Sequence, residues 1–408
     1  MHPLLEAAIT ELQPLFQSID RQTHHHLARV LAAFRHHQVG SHHFGSVLGY
    51  GHNDRGREIV DGVFAEVLGA ERALVRVQIV SGTHAIACCL FGNLRPGDEL
   101  LAVVGAPYDT LEPVIGKYPS PGSLAEWQIK YRELPRTPQG TIDWDGLRQA
   151  IRPDTKMVLI QRSCGYSWRS SLDLEDIQRI VAIVKAQNPH TICFVDNCYG
   201  EFVLDREPPA VGADLIAGSL IKNPGGTIAP TGGYIAGKAE YVENAATYLT
   251  APGIGSEGGT MLDQTRLILQ GLFLAPQMVG EALKCSHLAA VVFQRLGYAV
   301  NPAPFAPRRD IIQAIQLGST AKLLQFCRIV QKYSPIDSYV DPVPAPMPGY
   351  VSDLVMAGGT FIDGSTLELS ADAPLREPYV VFLQGGTHWT HMAIVLEQLI
   401  AALGTSQT

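Results

Sequence analysis

Apolar positions change texture twice along the chain. Near the N-terminus Leu4, Leu5, Ala8, Ile9 and Leu12 recur at helical spacing. A second periodic stretch, 26–34, follows Asp20 and Thr23, two residues suited to capping. The pattern predicts two helices and an exit loop over the first fifty residues. From about residue 70, short apolar runs alternate with amphipathic segments. The runs are 73–80, 99–105, 156–161, 191–196, 214–219 and 232–237, and stretches such as 172–188 between them read as helix. In that stretch Leu172, Leu174, Ile177, Ile180, Val181 and Val184 form the apolar stripe. Strands buried on both faces and separated by helices predict an α/β domain with a mainly parallel sheet.

Beyond residue 260 the texture changes again. A helical stretch over 261–274 leads into a long amphipathic segment over 276–296, then Pro-rich loops at 301–310 and 341–349. Segments 366–370 and 379–385 read as strands, and 388–403 as a closing helix. The expected organisation is an N-terminal helical arm (1–50), a large domain (51–285) and a smaller α+β C-terminal domain (286–408). No repeats, heptads or low-complexity tracts interrupt it.

Composition narrows the classes of function. Of 408 residues, 46% are hydrophobic and 17% charged, too apolar and too weakly charged for a disordered chain. A net charge of −8 argues against a nucleic-acid binder held by phosphate contacts. No apolar run approaches the roughly 18 residues needed to span a bilayer. The N-terminal segment carries acids and lacks the basic start of a secretory signal, so a cytoplasmic protein without a membrane partner is expected. The seven cysteines are odd in number, scattered and without a CxxC pair, which predicts buried reduced thiols. His24, His25, His26, His36, His37, His42 and His43 are dense, yet no acid or cysteine stands beside them at ligand spacing. A solvated or subunit-contacting surface is expected there, and no metal site.

The residues that can carry chemistry collect at the ends of successive predicted strands, where ligands of parallel α/β sheets bind. They are Ser81-Gly82-Thr83-His84, Tyr108, Gln161-Arg162-Ser163, Asp196, and Ser219 with Lys222. A small glycine-containing turn that opens a helix suits a phosphate, through free backbone N–H groups and the positive dipole end. Lys222 follows a buried run and precedes Asn-Pro-Gly-Gly, an unusual setting for a solvated lysine. A desolvated lysine has its pKa lowered toward neutrality, as an imine-forming amine needs. An aspartate ending one strand, Ser-x-x-Lys at the next and a Ser-Gly-Thr turn upstream together match the needs of pyridoxal 5'-phosphate (PLP).

The segments 49–58 (GYGHNDRGRE), 80–86 (VSGTHAI), 105–110 (GAPYDT), 160–172 (IQRSCGYSWRSSL), 194–202 (FVDNCYGEF), 219–237 (SLIKNPGGTIAPTGGYIAG) and 376–386 (REPYVVFLQGG) carry a resemblance. In their order and spacing the chain resembles the aluminium-resistance, methionine gamma-lyase-like carbon–sulfur lyases. These belong to the cystathionine/methionine-lyase group of fold-type-I PLP enzymes. The resemblance implies a large PLP-binding domain and elimination at Cβ or Cγ of a sulfur-containing amino acid, releasing thiol, ammonia and a 2-oxo acid. By the same resemblance Lys222 bonds the cofactor and serves as catalytic base, and Asp196 pairs with the ring nitrogen. Ser81, Gly82, Thr83 and Ser219 take the phosphate, and Tyr108 stacks on the ring and donates a proton. Tyr50, helped by Arg55 or Arg57, reaches the phosphate of a neighbouring subunit, which implies dimers that share active sites, assembled as a homotetramer. Arg376 is the candidate for the substrate α-carboxylate, with Arg162 the alternative. The chain departs from the better-studied lyases at His52, at Asn-Pro-Gly-Gly after the lysine, and at Leu220 and Ile221 before it. An aminotransferase or racemase, or a catalytically silent PLP-binding protein, would share the lysine and aspartate.

Overall fold

Short runs of Val, Ile, Leu and Phe between polar or glycine-containing turns form a seven-stranded sheet. The structure is a computed structural model and describes residues 1–347, 350 and 352–404. Its first sheet contains β1 (Arg72–Arg76), β2 (Glu99–Ala102), β3 (Lys130–Glu133), β4 (Thr155–Gln161), β5 (Ile192–Asp196), β6 (Leu215–Ser219) and β7 (Gly233–Gly237). Across the sheet the order is β1-β7-β6-β5-β4-β2-β3. Neighbours from β6 to β3 pair in parallel, and β7 pairs antiparallel with both β1 and β6. This is the expected mainly parallel sheet.

Side chains alternate between its faces. Leu159, Phe194 and Ala217 pack toward α3 (Gly82–Asn93) and α7 (Ala239–Leu249), together with Ile86, Leu90 and Val242. Val158, Val195 and Ile216 pack on the other face, against Phe64 of α2 (Arg55–Leu68), Ile180 of α6 (Leu174–Gln187) and Leu272 of α8 (Thr265–Arg295). A second sheet, antiparallel throughout, contains β8 (Ala299–Asn301), β9 (Gln313–Gln316), β10 (Leu354–Ala357), β11 (Ser370–Pro374) and β12 (Val380–Gln384), in the order β10-β11-β12-β9-β8. It packs on α9 (Thr320–Lys332) and α10 (Trp389–Leu403). The two cores meet within α8, whose Ile268 and Leu283 join the first and whose Cys285 and Phe293 join the second.

Three expectations change. The first fifty residues hold one long helix, α1 (Pro3–His36), through Pro14, where two were predicted. Leu5, Ala8, Leu12, Phe16, Ile19, His26, Val30 and Ala33 are the buried positions of this helix, and those on both sides of Pro14 pack into the core. Burial of each large apolar member is worth about 1.5–3 kcal/mol, which together outweighs the roughly 3 kcal/mol cost of an interior proline. For the same reason the predicted break near residue 275 is absent: α8 continues through the buried Pro276. The strand expected at 366–370 begins only at Ser370, because Leu367 and Leu369 are buried in a turn-rich segment before it. Within the Pro-rich loop predicted over 341–349, residues 348 and 349 lie outside the described residues, as do 405–408 of the predicted C-terminal domain. Among the described residues no helix is long and apolar enough to cross a membrane.

Candidate active site

The carboxyl ends of β4, β5 and β6 and the turn before α3 surround one cavity of about 260 Å³. Each strand end delivers a residue because a parallel sheet aligns its carboxyl edge. Ser81, Gly82 and Thr83 come from the helix start, Tyr108 from the loop after β2, Asp196 from the last position of β5, and Ser219 from that of β6. Lys222 follows three residues later and lines the same cavity. All seven residues foreseen around the cofactor at these strand ends are thus brought together.

The first turn of α3 is built to face a ligand. Ser81 caps it, its Oγ accepting from His84 N–H at 3.1 Å. Among the described residues no protein group takes the N–H of Gly82 or Thr83, as is usual for a helix start. A Cβ at Gly82 would stand 3.3 Å from Cys198 Sγ and 3.5 Å from Ser219 Cβ. Glycine therefore lets this turn close down on the end of β6. The Tyr108 hydroxyl donates to Thr83 Oγ1 at 3.0 Å, and the Tyr108 N–H donates to Gln161 Oε1 at 2.8 Å. These two bonds fix the ring on one wall.

Electrostatics follow from burial. Burial pushes the Asp196 carboxyl up, against the pull of Lys222 and a hydrogen bond from Cys198 N–H at 3.2 Å. Burial, with Asp196 second, holds the Tyr108 phenol well above its ordinary value, so this hydroxyl keeps its proton. For Lys222, burial alone lowers the ammonium, but Cys198, Tyr199, Asp196 and Tyr108 around it outweigh that and raise it. The direction is opposite to the lowering expected from desolvation, because acidic groups share the pocket. Cys164 and Cys198 also line it, and burial pushes both thiols up, which removes a thiolate nucleophile from consideration.

Other residues fall outside the cavity or at its edge. Arg376 stands at the mouth, 45% exposed, with Nη1 3.9 Å from Asp109 Oδ2 and Nη2 donating to the Tyr166 carbonyl at 3.2 Å. Arg162, the alternative for the carboxylate, does not line the cavity. It is fully buried behind β4 and β5, donating to Asn197 Oδ1 at 2.6 Å and to Glu207 Oε2 at 3.2 Å. A Cβ at Gly200 would meet its side chain at 2.6 Å, so glycine there makes the space it fills. Tyr50 is 83% exposed and does not line this chain's cavity. Its loop is braced by Arg57, which donates to Gly51 O at 2.8 Å and to Gly259 O at 3.2 Å.

Three contributors were not foreseen. Tyr199 adopts a left-handed backbone (φ 70°) and places its ring 3.9 Å from Lys222 Nζ. Tyr166 crosses from the loop after β4 to donate to Asp372 Oδ2 at 2.8 Å, and Gln384 donates to the same oxygen at 3.0 Å. This joins the second sheet to the cavity wall. Tyr350 stands with its ring 5.7 Å from that of Tyr166. Tyr199 lies three residues after the foreseen Asp196, within the segment 194–202, which is the signal that could have found it.

A lysine at the carboxyl edge of a mainly parallel sheet, above a buried aspartate and beside a helix start with free N–H groups, defines the fold-type-I architecture of PLP enzymes. The chain belongs to the methionine gamma-lyase family, whose model matches residues 1–404. The Bacillus subtilis protein YnbB, uncharacterized, is 48% identical over 366 residues, 89% of this chain and 87% of YnbB. A Listeria monocytogenes structure, described as a proposed cystathionine beta-lyase involved in aluminium resistance, shares 44% identity and a TM-score of 0.96, covering 99% of this chain and 100% of that one. A carbon–sulfur lyase involved in aluminium resistance from Clostridium novyi shares 44% identity and a TM-score of 0.93, over 98% and 94% of the two chains.

Proposed function

We propose that this chain is a PLP-dependent carbon–sulfur lyase that cleaves a sulfur-containing amino acid by β- or γ-elimination. The observation that carries the proposal is the convergence of Lys222, Asp196 and the open first turn of α3 on one cavity. The donor set suits the cofactor: an amine, a buried carboxylate for a ring nitrogen, N–H groups and Ser219 for a phosphate, and the Tyr108 ring for a flat face. When bound, PLP supplies an electron sink for the carbanion at Cα. The family membership and the names of the Listeria and Clostridium relatives point to the same class of reaction.

Within that reading each side chain has a task. Lys222 would hold the cofactor through its amine, and that amine would be placed to take a proton from the substrate Cα. Asp196, kept from water by burial, would pair with the cofactor's ring nitrogen and favour a proton there. Tyr108, buried and protonated, donates to the departing sulfur. Arg376, at the mouth with part of its fork facing solvent, takes the substrate carboxylate. Tyr50 completes the phosphate end of the cavity in a second copy of the chain, in a cytoplasmic homo-oligomer built from site-sharing dimers and assembled as a tetramer.

Incubating the purified protein with a panel of sulfur amino acids tests the reading. The expected outcome is release of thiol, ammonia and 2-oxo acid in equal amounts. Amino transfer to an added 2-oxo acid, or loss of chirality without elimination, would assign an aminotransferase or racemase instead. Cofactor binding without turnover of any amino acid would make the chain a silent PLP-binding protein.

A further inference from the structure

Away from the cavity, the end of α1 lies against the last turn of α2 and brings two imidazoles to one carboxylate. His36 Nδ1 stands 2.6 Å from Glu66 Oε2, and His37 Nε2 stands 3.1 Å from the same oxygen. The approach depends on Gly62, one helical turn before Glu66 on the same face of α2. A Cβ at Gly62 would lie 2.8 Å from His37 Cε1 and 2.9 Å from its Nδ1. Lacking that atom, α2 lets the ring of His37 lie against its backbone with Nε2 aimed at Glu66. His36 closes the solvent side, its ring centroid 5.0 Å from that of His37.

The spacing is that of metal ligands. One ligand atom from each residue lies within 4.8 Å of the others. Ligand atoms around a tetrahedral zinc ion stand about 3.3 Å apart, given bonds of roughly 2.0–2.1 Å. The observed separations of 2.6 and 3.1 Å fall short of that value by less than an ångström. Two imidazoles and one carboxylate favour a borderline transition ion over Mg²⁺ or Ca²⁺, which demand oxygen donors. The histidine-rich arm was expected to hold no metal because no acid accompanies it in sequence. The fold supplies that acid from thirty residues beyond His36.

We propose that His36, His37 and Glu66 bind a divalent transition ion of the zinc class, with water completing the coordination, and that the ion ties the arm helix α1 to α2. An ion bound only by the folded chain raises its stability by mass action.

The test uses the full-length purified protein, cleared of metal with EDTA and titrated with ZnCl₂. The expected result is a saturable site at one ion per chain and a rise in Tm with zinc, neither produced by MgCl₂. Glu66→Gln and His37→Ala should each weaken binding on the order of tenfold or more and abolish the rise in Tm. His24→Ala and His25→Ala, exposed on the same arm, should retain both. Circular dichroism of each variant in EDTA separates loss of the site from loss of the fold. Absence of saturable zinc binding overturns the proposal, as does binding that survives both site variants. A Tm for Glu66→Gln that is lowered equally with and without zinc, in a wild type that shows no zinc-dependent rise, reduces the cluster to an ion pair and also overturns it.

Discussion

Two arginines beside one cavity, one after β4 of the first sheet and one after β11 of the second, show how environment divides one residue type between ligand binding and scaffolding. Arg376, at the cavity mouth, keeps 45% of its side chain exposed, and its carboxylate neighbour Asp109 stands off at 3.9 Å. Arg162 begins one residue after β4 yet turns behind the sheet, where no part of it is exposed. There it meets Asn197 and Glu207, in a network that runs on through Tyr234 to Glu201. A guanidinium that must recognise a ligand needs donors left free toward solvent. One that must hold strand ends together needs its partners inside. Arg162 sits between the cavity-lining Gln161 and Ser163 while Arg376 lies far along the chain from the cofactor constellation, so position in sequence did not give their roles.

The comparison can be broken at either arginine. Arg162→Ala leaves Glu207 buried without its cation and should cost about 3–5 kcal/mol of stability, measured by urea unfolding, with kcat/KM per folded molecule close to wild type. Arg376→Ala should leave stability near wild type and lower kcat/KM roughly 10²-fold, mostly through KM, because an exposed charge pair to substrate is lost. Were the two outcomes exchanged, the assignment of mouth and scaffold would be wrong.

A smaller effect sharpens the scaffold side. Burial raises the Glu201 carboxyl from about 4.5 to about 8, against the hydrogen bond from Tyr234. Between those values the folded chain holds a proton that the unfolded chain has released. Wild-type stability should therefore fall as pH rises from about 4.5 to about 8 and level off above. Glu201→Gln has no such proton to hold. Its Tm relative to wild type should climb over the same interval, and a constant difference would show that Glu201 titrates normally in the fold.

How much of this was legible in the sequence depended on distance along the chain. The runs ending in Asp196 and Ser219 became β5 and β6 because a strand buried on both faces declares itself by continuous apolar residues. The site residues that follow such strands were legible with them. The edge strand β3, Lys-Tyr-Arg-Glu, carries no such run and was missed. So were β8, β9 and β10, three to four residues each, which owe their form to neighbours in the second sheet. The continuity of α1 past Pro14 and of α8 past Pro276 was not legible, since local propensity does not register the buried stripes that carry both helices through. Tyr166 with Asp372, and His36 and His37 with Glu66, are pairings that only the tertiary fold creates.

The central claim is that Lys222 is the residue that bonds the cofactor. Borohydride reduction of the purified protein, followed by peptide mapping, tests it most directly. A pyridoxyl group is expected on the peptide containing Lys222, and none on any peptide of Lys222→Ala. A label on another lysine, or no label on a protein that turns over sulfur amino acids, would contradict it.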